Sequence, residues 1–167
     1  MRGRTGTLVL LLSGPVLVAA YAAVNYAALR TASQARVGDP GGRITSGGLS
    51  SLGSDLWWIT RGVALVAAVA AVGLAVVGLL LRRATRRRGA LLVLSGVLIL
   101  PYTLGVMAAV YNPAPRLAGF YDDVAFEDAL PPWQYASSLL VVAAALAQAV
   151  GMVRAHSEAR TASAPPR

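Results

Sequence analysis

The sequence contains neither cysteine nor lysine, and it has a single histidine, His156. Without cysteine there can be no disulfide, no thiol nucleophile and no metal site with thiolate ligands. One histidine also excludes a metal site built from several histidines of the same chain. We therefore expect no cofactor, no metal centre and no catalytic residue of these kinds.

Charged residues are also scarce. They make up 13% of the 167 residues, whereas hydrophobic residues make up 56% and the mean hydropathy is +0.61. Soluble domains average about 25% charged residues. A chain this apolar has too little polar surface to cover itself in water, so we expect a lipid bilayer to be its solvent.

Four long apolar stretches contain no charged residue, and the second of them begins at Gly62. A helix needs about 20 apolar residues to cross a hydrocarbon core of about 30 Å. None of the stretches alternates as a strand would. We predict an all-α, four-helix transmembrane bundle that forms a single membrane domain. The spans are expected at about 8–29, 57–81, 90–111 and 133–153, and a polar cytoplasmic tail at about 154–167.

The first stretch has a second interpretation. The start "MRGR", the apolar run and the tripeptide Ala20–Ala22 also fit a cleaved secretory signal peptide. The apolar core of such peptides spans about 7–15 residues. The run here is longer and has no polar break after the cleavage site, which favours a retained helix. Cleavage would leave three spans.

The distribution of arginine predicts the orientation in the membrane. If both termini and the turn after the second span are cytoplasmic, ten of the 15 arginines lie inside, opposed only by Glu158. The two outer loops then carry more acidic residues than basic ones. Because basic residues in short loops remain in the cytoplasm, we predict a multi-pass protein with both termini inside and two extracytoplasmic loops.

The turn "LRRATRRRGA", residues 81–90, concentrates five arginines in a few positions. We predict that it is a cytoplasmic anchor resting on anionic lipid headgroups. Docking of an acidic cytoplasmic protein is the alternative. Nucleic acid is not expected as a partner, because a short turn without interleaved aromatic residues offers little surface. The anchor consists of Arg82, Arg83, Arg86, Arg87 and Arg88.

The two outer loops differ in character. Loop 30–56 is rich in glycine and serine, which predicts a flexible connector, with a loop ordered by a partner as the alternative. In loop 112–132, we expect Phe126 and its aromatic neighbours either to cap the bundle or to lie on the membrane surface. The same loop predicts a solvated acidic surface, with a Ca²⁺ or Mg²⁺ site as the alternative. That surface consists of Asp122, Asp123, Glu127 and Asp128.

Aromatic residues are confined to the half of the molecule predicted to be outside. Five of them are placed to form an interfacial belt: Trp57, Trp58, Tyr111, Trp133 and Tyr135. Deeper polar residues predict either an outward-facing polar and aromatic pocket or simple hydrogen bonds between helices. The candidate pocket residues are Tyr21, Asn25, Tyr102 and Thr103.

Small residues repeat at spacings of four in the second and fourth spans, as in Ala67 and Ala71, and predict close helix packing. Gln148 is the strongly polar residue of the inner half of the spans. We expect it to hydrogen-bond across the bundle or to another subunit. We expect Arg61 to extend outward from the second span and to pair with Asp55 or another acid.

The basic residues are all arginine, alanine is abundant, and the acidic loop ends in "LPPW", residues 130–133. In these respects the chain resembles the uncharacterised small four-helix integral membrane proteins of actinobacteria. The resemblance covers the whole chain. It implies the four-span fold and a location in a bacterial plasma membrane, and it implies no activity.

These features favour a noncatalytic membrane protein, an accessory or interaction subunit of a membrane assembly with a protein partner or a second copy. The alternative is a small transporter or lipid-binding protein that uses the outward-facing pocket. An enzyme using Asp123 and Glu127 is the least supported hypothesis, because no nucleophile–base pair is visible in the sequence.

Overall fold

The computed structural model describes residues 2–35, 48–83, 88–120 and 124–161. Nearly all of these residues are helical. In chain order the elements are α1 (Arg2–Ala35), α2 (Ser51–Arg83), α3 (Arg88–Tyr111), α4 (Pro113–Phe120), α5 (Val124–Asp128), a 3₁₀ helix (Pro132–Ser137) and α6 (Ser138–Thr161).

Four of the helices are long and apolar enough to cross a membrane: α1, α2, α3, and α6 together with the 3₁₀ helix. This confirms the predicted all-α bundle with four membrane-spanning helices. The helices extend beyond the predicted spans. α2 has 33 residues and is therefore about 50 Å long, and α6 continues to Thr161 into the predicted polar tail. The helix ends thus project beyond a hydrocarbon core of about 30 Å.

The bundle has two chemically different ends. The arginine end carries the start of α1, the connection between α2 and α3, and the end of α6. The loop end carries the end of α1, the start of α2 and residues 111–138. Contacts between Thr7, Arg82 and Glu158 bring α1, α2 and α6 together at the arginine end.

α1, α2 and α6 pack against one another, whereas α3 makes most of its contacts with α2. The side of α3 that faces away from the bundle is largely apolar. Val93, Leu100 and Met107 on this side are each about two-thirds exposed. Since lipid tails are as apolar as these side chains, a bilayer can cover them without cost.

The predicted alanine face of α2 lies inside the bundle. Ala64, Ala67, Ala71 and Ala75 are all buried. α3 approaches this face so closely that a Cβ on Gly105 would lie 3.1 Å from the Cβ of Ala67. Small residues therefore bring α2 and its neighbours together, and this face is closed to any other protein.

Gln148 crosses from α6 to α1 and α2. Because Pro15 has no N–H, the carbonyl of Leu11 in α1 lacks its helical donor. The Nε2 atom of Gln148 donates to that carbonyl at 3.3 Å and to the carbonyl of Ala71 at 2.7 Å. Gly14 provides the space, since a Cβ there would overlap the Gln148 side chain. The predicted hydrogen bond across the bundle is confirmed.

The loop end has its own apolar core, which we call the cap core. It consists of Leu29, Ala32, Leu49, Leu56, Ala114, Phe126 and Leu130. Phe126 is fully buried in this core. It therefore caps the bundle and does not lie on the membrane surface, which was the other predicted position. The prediction of a flexible loop over 30–56 is wrong at both of its ends, because residues 30–35 belong to α1 and residues 51–56 to α2. Residues 36–47 lie outside the described residues. Leu49 and Ser50, just before α2, are buried, and Ser50 Oγ accepts the N–H of Gly53 at 3.1 Å to cap α2.

Candidate functional site

A network of side-chain amides joins α1 to the 3₁₀ helix and to the junction of α3 and α4. Asn25 Nδ2 donates to Ser137 Oγ at 3.0 Å and to the carbonyl of Tyr21 at 2.9 Å. Gln134 Nε2 donates to Asn25 Oδ1 at 2.9 Å and to Asn112 Oδ1 at 2.8 Å. Asn112 Nδ2 donates back to Gln134 Oε1 at 3.0 Å. The amides therefore satisfy one another inside the bundle.

Of the four residues predicted to form a pocket, three are buried inside the bundle and one is exposed. Tyr21, Asn25 and Tyr102 are buried, with exposures between 1% and 5%. Thr103 instead lies on the exposed side of α3, where its hydroxyl donates to the carbonyl of Ile99 at 2.8 Å. The prediction is therefore wrong for Thr103. The side-chain amide of Asn25 forms its hydrogen bonds with the other residues of the network.

Asn112 connects this network to the surface. Its φ of 51° is left-handed and ends α3, a conformation that asparagine tolerates better than most residues. Its N–H donates to the carbonyl of Ala109 at 3.2 Å, and Pro113 starts α4. The Asn-Pro pair therefore turns the chain and also directs an amide at Gln134. Sequence reasoning missed Gln134, whose only signal was an uncharged amide at the start of a span.

A surface cleft of about 340 Å³ opens where α3, α4, α5 and the 3₁₀ helix meet. We call it the loop-end cleft. Its lining includes Val110, Tyr111, Asn112, Arg116, Glu127 and Tyr135. None of the four residues predicted to form a pocket lines this cleft, which lies at the end of the bundle, beyond the amide network.

Among the described residues, two charged side chains line the loop-end cleft. Arg116 Nε donates to the carbonyl of Tyr111 at 3.1 Å, and the guanidinium carbon lies 4.6 Å from the centre of the Tyr111 ring. A cation is favourable there, because it meets the carbonyl end of α3 and an aromatic face. Glu127 forms no ion pair with Arg116 or with any other residue in the described part of the chain. Opposite charges therefore share the cleft without neutralising each other.

The predicted acidic surface is described only in part. Asp122 and Asp123 lie outside the described residues. Glu127 lines the loop-end cleft, and Asp128 is exposed. Among the residues with described positions, no cluster of three or more histidine, cysteine or carboxylate side chains is placed to hold a metal ion.

Four of the five belt residues are about half exposed or more at the loop end: Trp58, Tyr111, Trp133 and Tyr135. Trp57 instead packs edge-on against Tyr26, with ring centres 5.0 Å apart. The guanidinium of Arg61 lies 5.1 Å from the ring centre of Trp58. This cation–π contact takes the place of the expected ion pair with Asp55, which is not formed among the described residues.

Glu158 ties three helices together at the arginine end. Its Oε1 accepts the hydroxyl of Thr7 in α1 at 2.6 Å, and its Oε2 pairs with Nε of Arg82 in α2 at 3.0 Å. Arg82 thus pairs with a residue of the bundle, whereas the sequence predicts that it contacts lipid headgroups. Arg86 and Arg87 lie outside the described residues, while Arg83 and Arg88 mark the end of α2 and the start of α3.

Comparisons of the chain with protein-family models, with curated proteins and with solved structures find no match.

Proposed function

We propose that this chain is a noncatalytic integral membrane protein that acts by interaction, as an accessory subunit of a membrane assembly. The observation that carries the proposal is the cap core. Helices in a bundle are usually joined by short loops, whereas here α4, α5 and Leu49 build a separate buried core beyond the spans. Such a core holds exposed side chains in fixed positions, which a recognition surface requires.

The proposal places the protein in a bacterial plasma membrane, with the arginine end in the cytoplasm and the cap outside. The excess of arginine at one end supports this orientation. Apart from Arg82, which pairs with Glu158, the arginines of the predicted anchor would then lie at the level of anionic lipid headgroups, where each basic residue favours binding.

The chemistry of the described residues supports a noncatalytic role. The polar side chains buried in the bundle are amides and hydroxyls, among them Asn25, Gln134 and Gln148. Uncharged groups of this kind join helices and do not carry protons. The described residues of the loop-end cleft contain no nucleophile in hydrogen-bond contact with a base.

Purification of the tagged chain from its native membrane in mild detergent tests the proposal. We expect a partner to co-purify in fixed proportion and to be lost from the double variant Asp128→Arg, Tyr135→Ala, whose side chains are exposed at the loop end. Val153→Ala is the matched control, because Val153 is exposed near the arginine end. Recovery of the chain alone, or retention of the partner by the double variant, would contradict the proposal.

A further inference from the structure

The loop-end cleft has the charges and the volume to hold a small zwitterion. Its volume of about 340 Å³ falls in the range of small-ligand sites. Arg116 and Glu127 both line it and do not pair with each other. We propose that the cleft binds the headgroup of an aminophospholipid, with the phosphodiester at Arg116 and the primary ammonium at Glu127. This site does not depend on the accessory role proposed above.

Arg116 is preorganised to bind a phosphate. The carbonyl and the ring of Tyr111 hold its Nε and one face of its guanidinium. The terminal nitrogens have no partner among the described residues, so their N–H groups remain for a ligand. A guanidinium fixed in this way matches the oxygens of a phosphodiester with two parallel hydrogen bonds.

Glu127 selects the second charge of the ligand. A primary ammonium can donate up to three hydrogen bonds to a carboxylate and to a hydroxyl such as that of Tyr135, which lines the same cleft. A trimethylammonium group has no N–H to donate. A lipid with a phosphate and no ammonium would bring a second negative charge close to Glu127, which opposes its binding.

The position of the cleft favours a lipid over a soluble zwitterion. Tyr111 lines the cleft and also ends the exposed face of α3. Met107 and Leu104 precede it by four and seven residues, so they lie on the same side of the helix, and both are more than 60% exposed. These side chains form an apolar track of about 10 Å that leads from the cleft towards the hydrocarbon. An acyl chain would lie along it.

Native mass spectrometry of the purified full chain tests this inference. Phosphatidylethanolamine, phosphatidylcholine and phosphatidylglycerol with identical acyl chains are added separately, and glycerophosphoethanolamine serves as the soluble competitor. We expect phosphatidylethanolamine to be retained about tenfold more than the other two lipids, as loss of one charge-assisted hydrogen bond implies. We expect the soluble headgroup to compete poorly. Equal retention of the three lipids would overturn the proposal. Efficient competition by glycerophosphoethanolamine would show that the cleft binds a soluble zwitterion and not a lipid.

Two variants assign the binding to the cleft. Glu127→Gln should remove the preference for ethanolamine over choline, and Arg116→Gln should reduce retention of both lipids. Asp128→Asn is the matched control, because it removes a neighbouring exposed carboxylate that does not line the cleft. Glu127 has no described side-chain partner, so Glu127→Gln should fold normally. An unchanged preference in Glu127→Gln, or an equal loss in Asp128→Asn, would overturn the assignment.

Discussion

The carbonyl of Leu11 and the amide of Gln148 are 137 residues apart in the chain and meet inside the bundle. Pro15 creates the unpaired carbonyl, and Gly14 makes room for the amide that satisfies it. In hydrocarbon no water is present to satisfy an unpaired backbone group. The three residues therefore act together, and α6 is fixed against α1 at this level.

A double-mutant cycle between Gln148 and Pro15 tests this relation. Gln148→Leu should lower the free energy of unfolding in detergent by about 1 kcal/mol. The loss should be smaller in a Pro15→Ala background, because the N–H restored at residue 15 satisfies the carbonyl of Leu11. Thr103→Val is the control, because the Thr103 hydroxyl donates to the carbonyl of Ile99 in its own helix and does not join two helices. Equal losses in the two backgrounds would contradict the relation.

The sequence identified Gln148 as a polar residue within a span, but it could not identify the carbonyls of Leu11 and Ala71 as the partners of its amide. A partner depends on how each helix is rotated about its axis. Tyr102 and Thr103 illustrate the difficulty, because one is buried and the other is exposed. α3 is largely apolar and has polar residues on both its buried and its exposed sides, so its sequence carries no clear amphipathic pattern from which that rotation can be predicted.

Among the elements, the cap was the least predictable from sequence. The spans follow from uninterrupted apolar stretches, because the bilayer sets their length. Phe126 and Leu130 come from an acidic, proline-rich segment, and Leu49 follows a glycine-rich one. They form a core only when the ends of α1, α2 and α4 meet. A short-range pattern cannot reveal contacts that exist only after the helices have assembled.

The cap core shares no buried residue with the two apolar clusters described in the spans. Phe126→Ala should therefore destabilise the cap by roughly 3–5 kcal/mol while the spans stay folded. We expect hydrogen–deuterium exchange to increase at the backbone amides of α4 and α5 and to remain slow in α6. Leu139→Ala, at an exposed position of α6, is the control. A uniform increase throughout the bundle would show that the cap is not an independent unit.

The whole molecule is asymmetric in two directions. Across the bundle, α1, α2 and α6 form a close-packed group, and α3 covers one side of it. Along the bundle, Glu158 links three helices at the arginine end, and the cap core joins α1, α2, α4 and α5 at the other. The loop-end cleft lies beside this core. In the proposed orientation, the cap and the loop-end cleft lie on the outer side of the membrane.

Single-cysteine labelling tests that orientation most directly, because the chain has no cysteine of its own. The reporters are Asp128→Cys in the cap, Gly89→Cys at the open arginine end and Leu100→Cys on the exposed apolar side of α3. A membrane-impermeant maleimide should label Asp128→Cys in intact cells and Gly89→Cys only after the membrane is opened. Leu100→Cys should resist labelling until the protein is denatured. Labelling of Gly89→Cys but not of Asp128→Cys in intact cells would contradict the account.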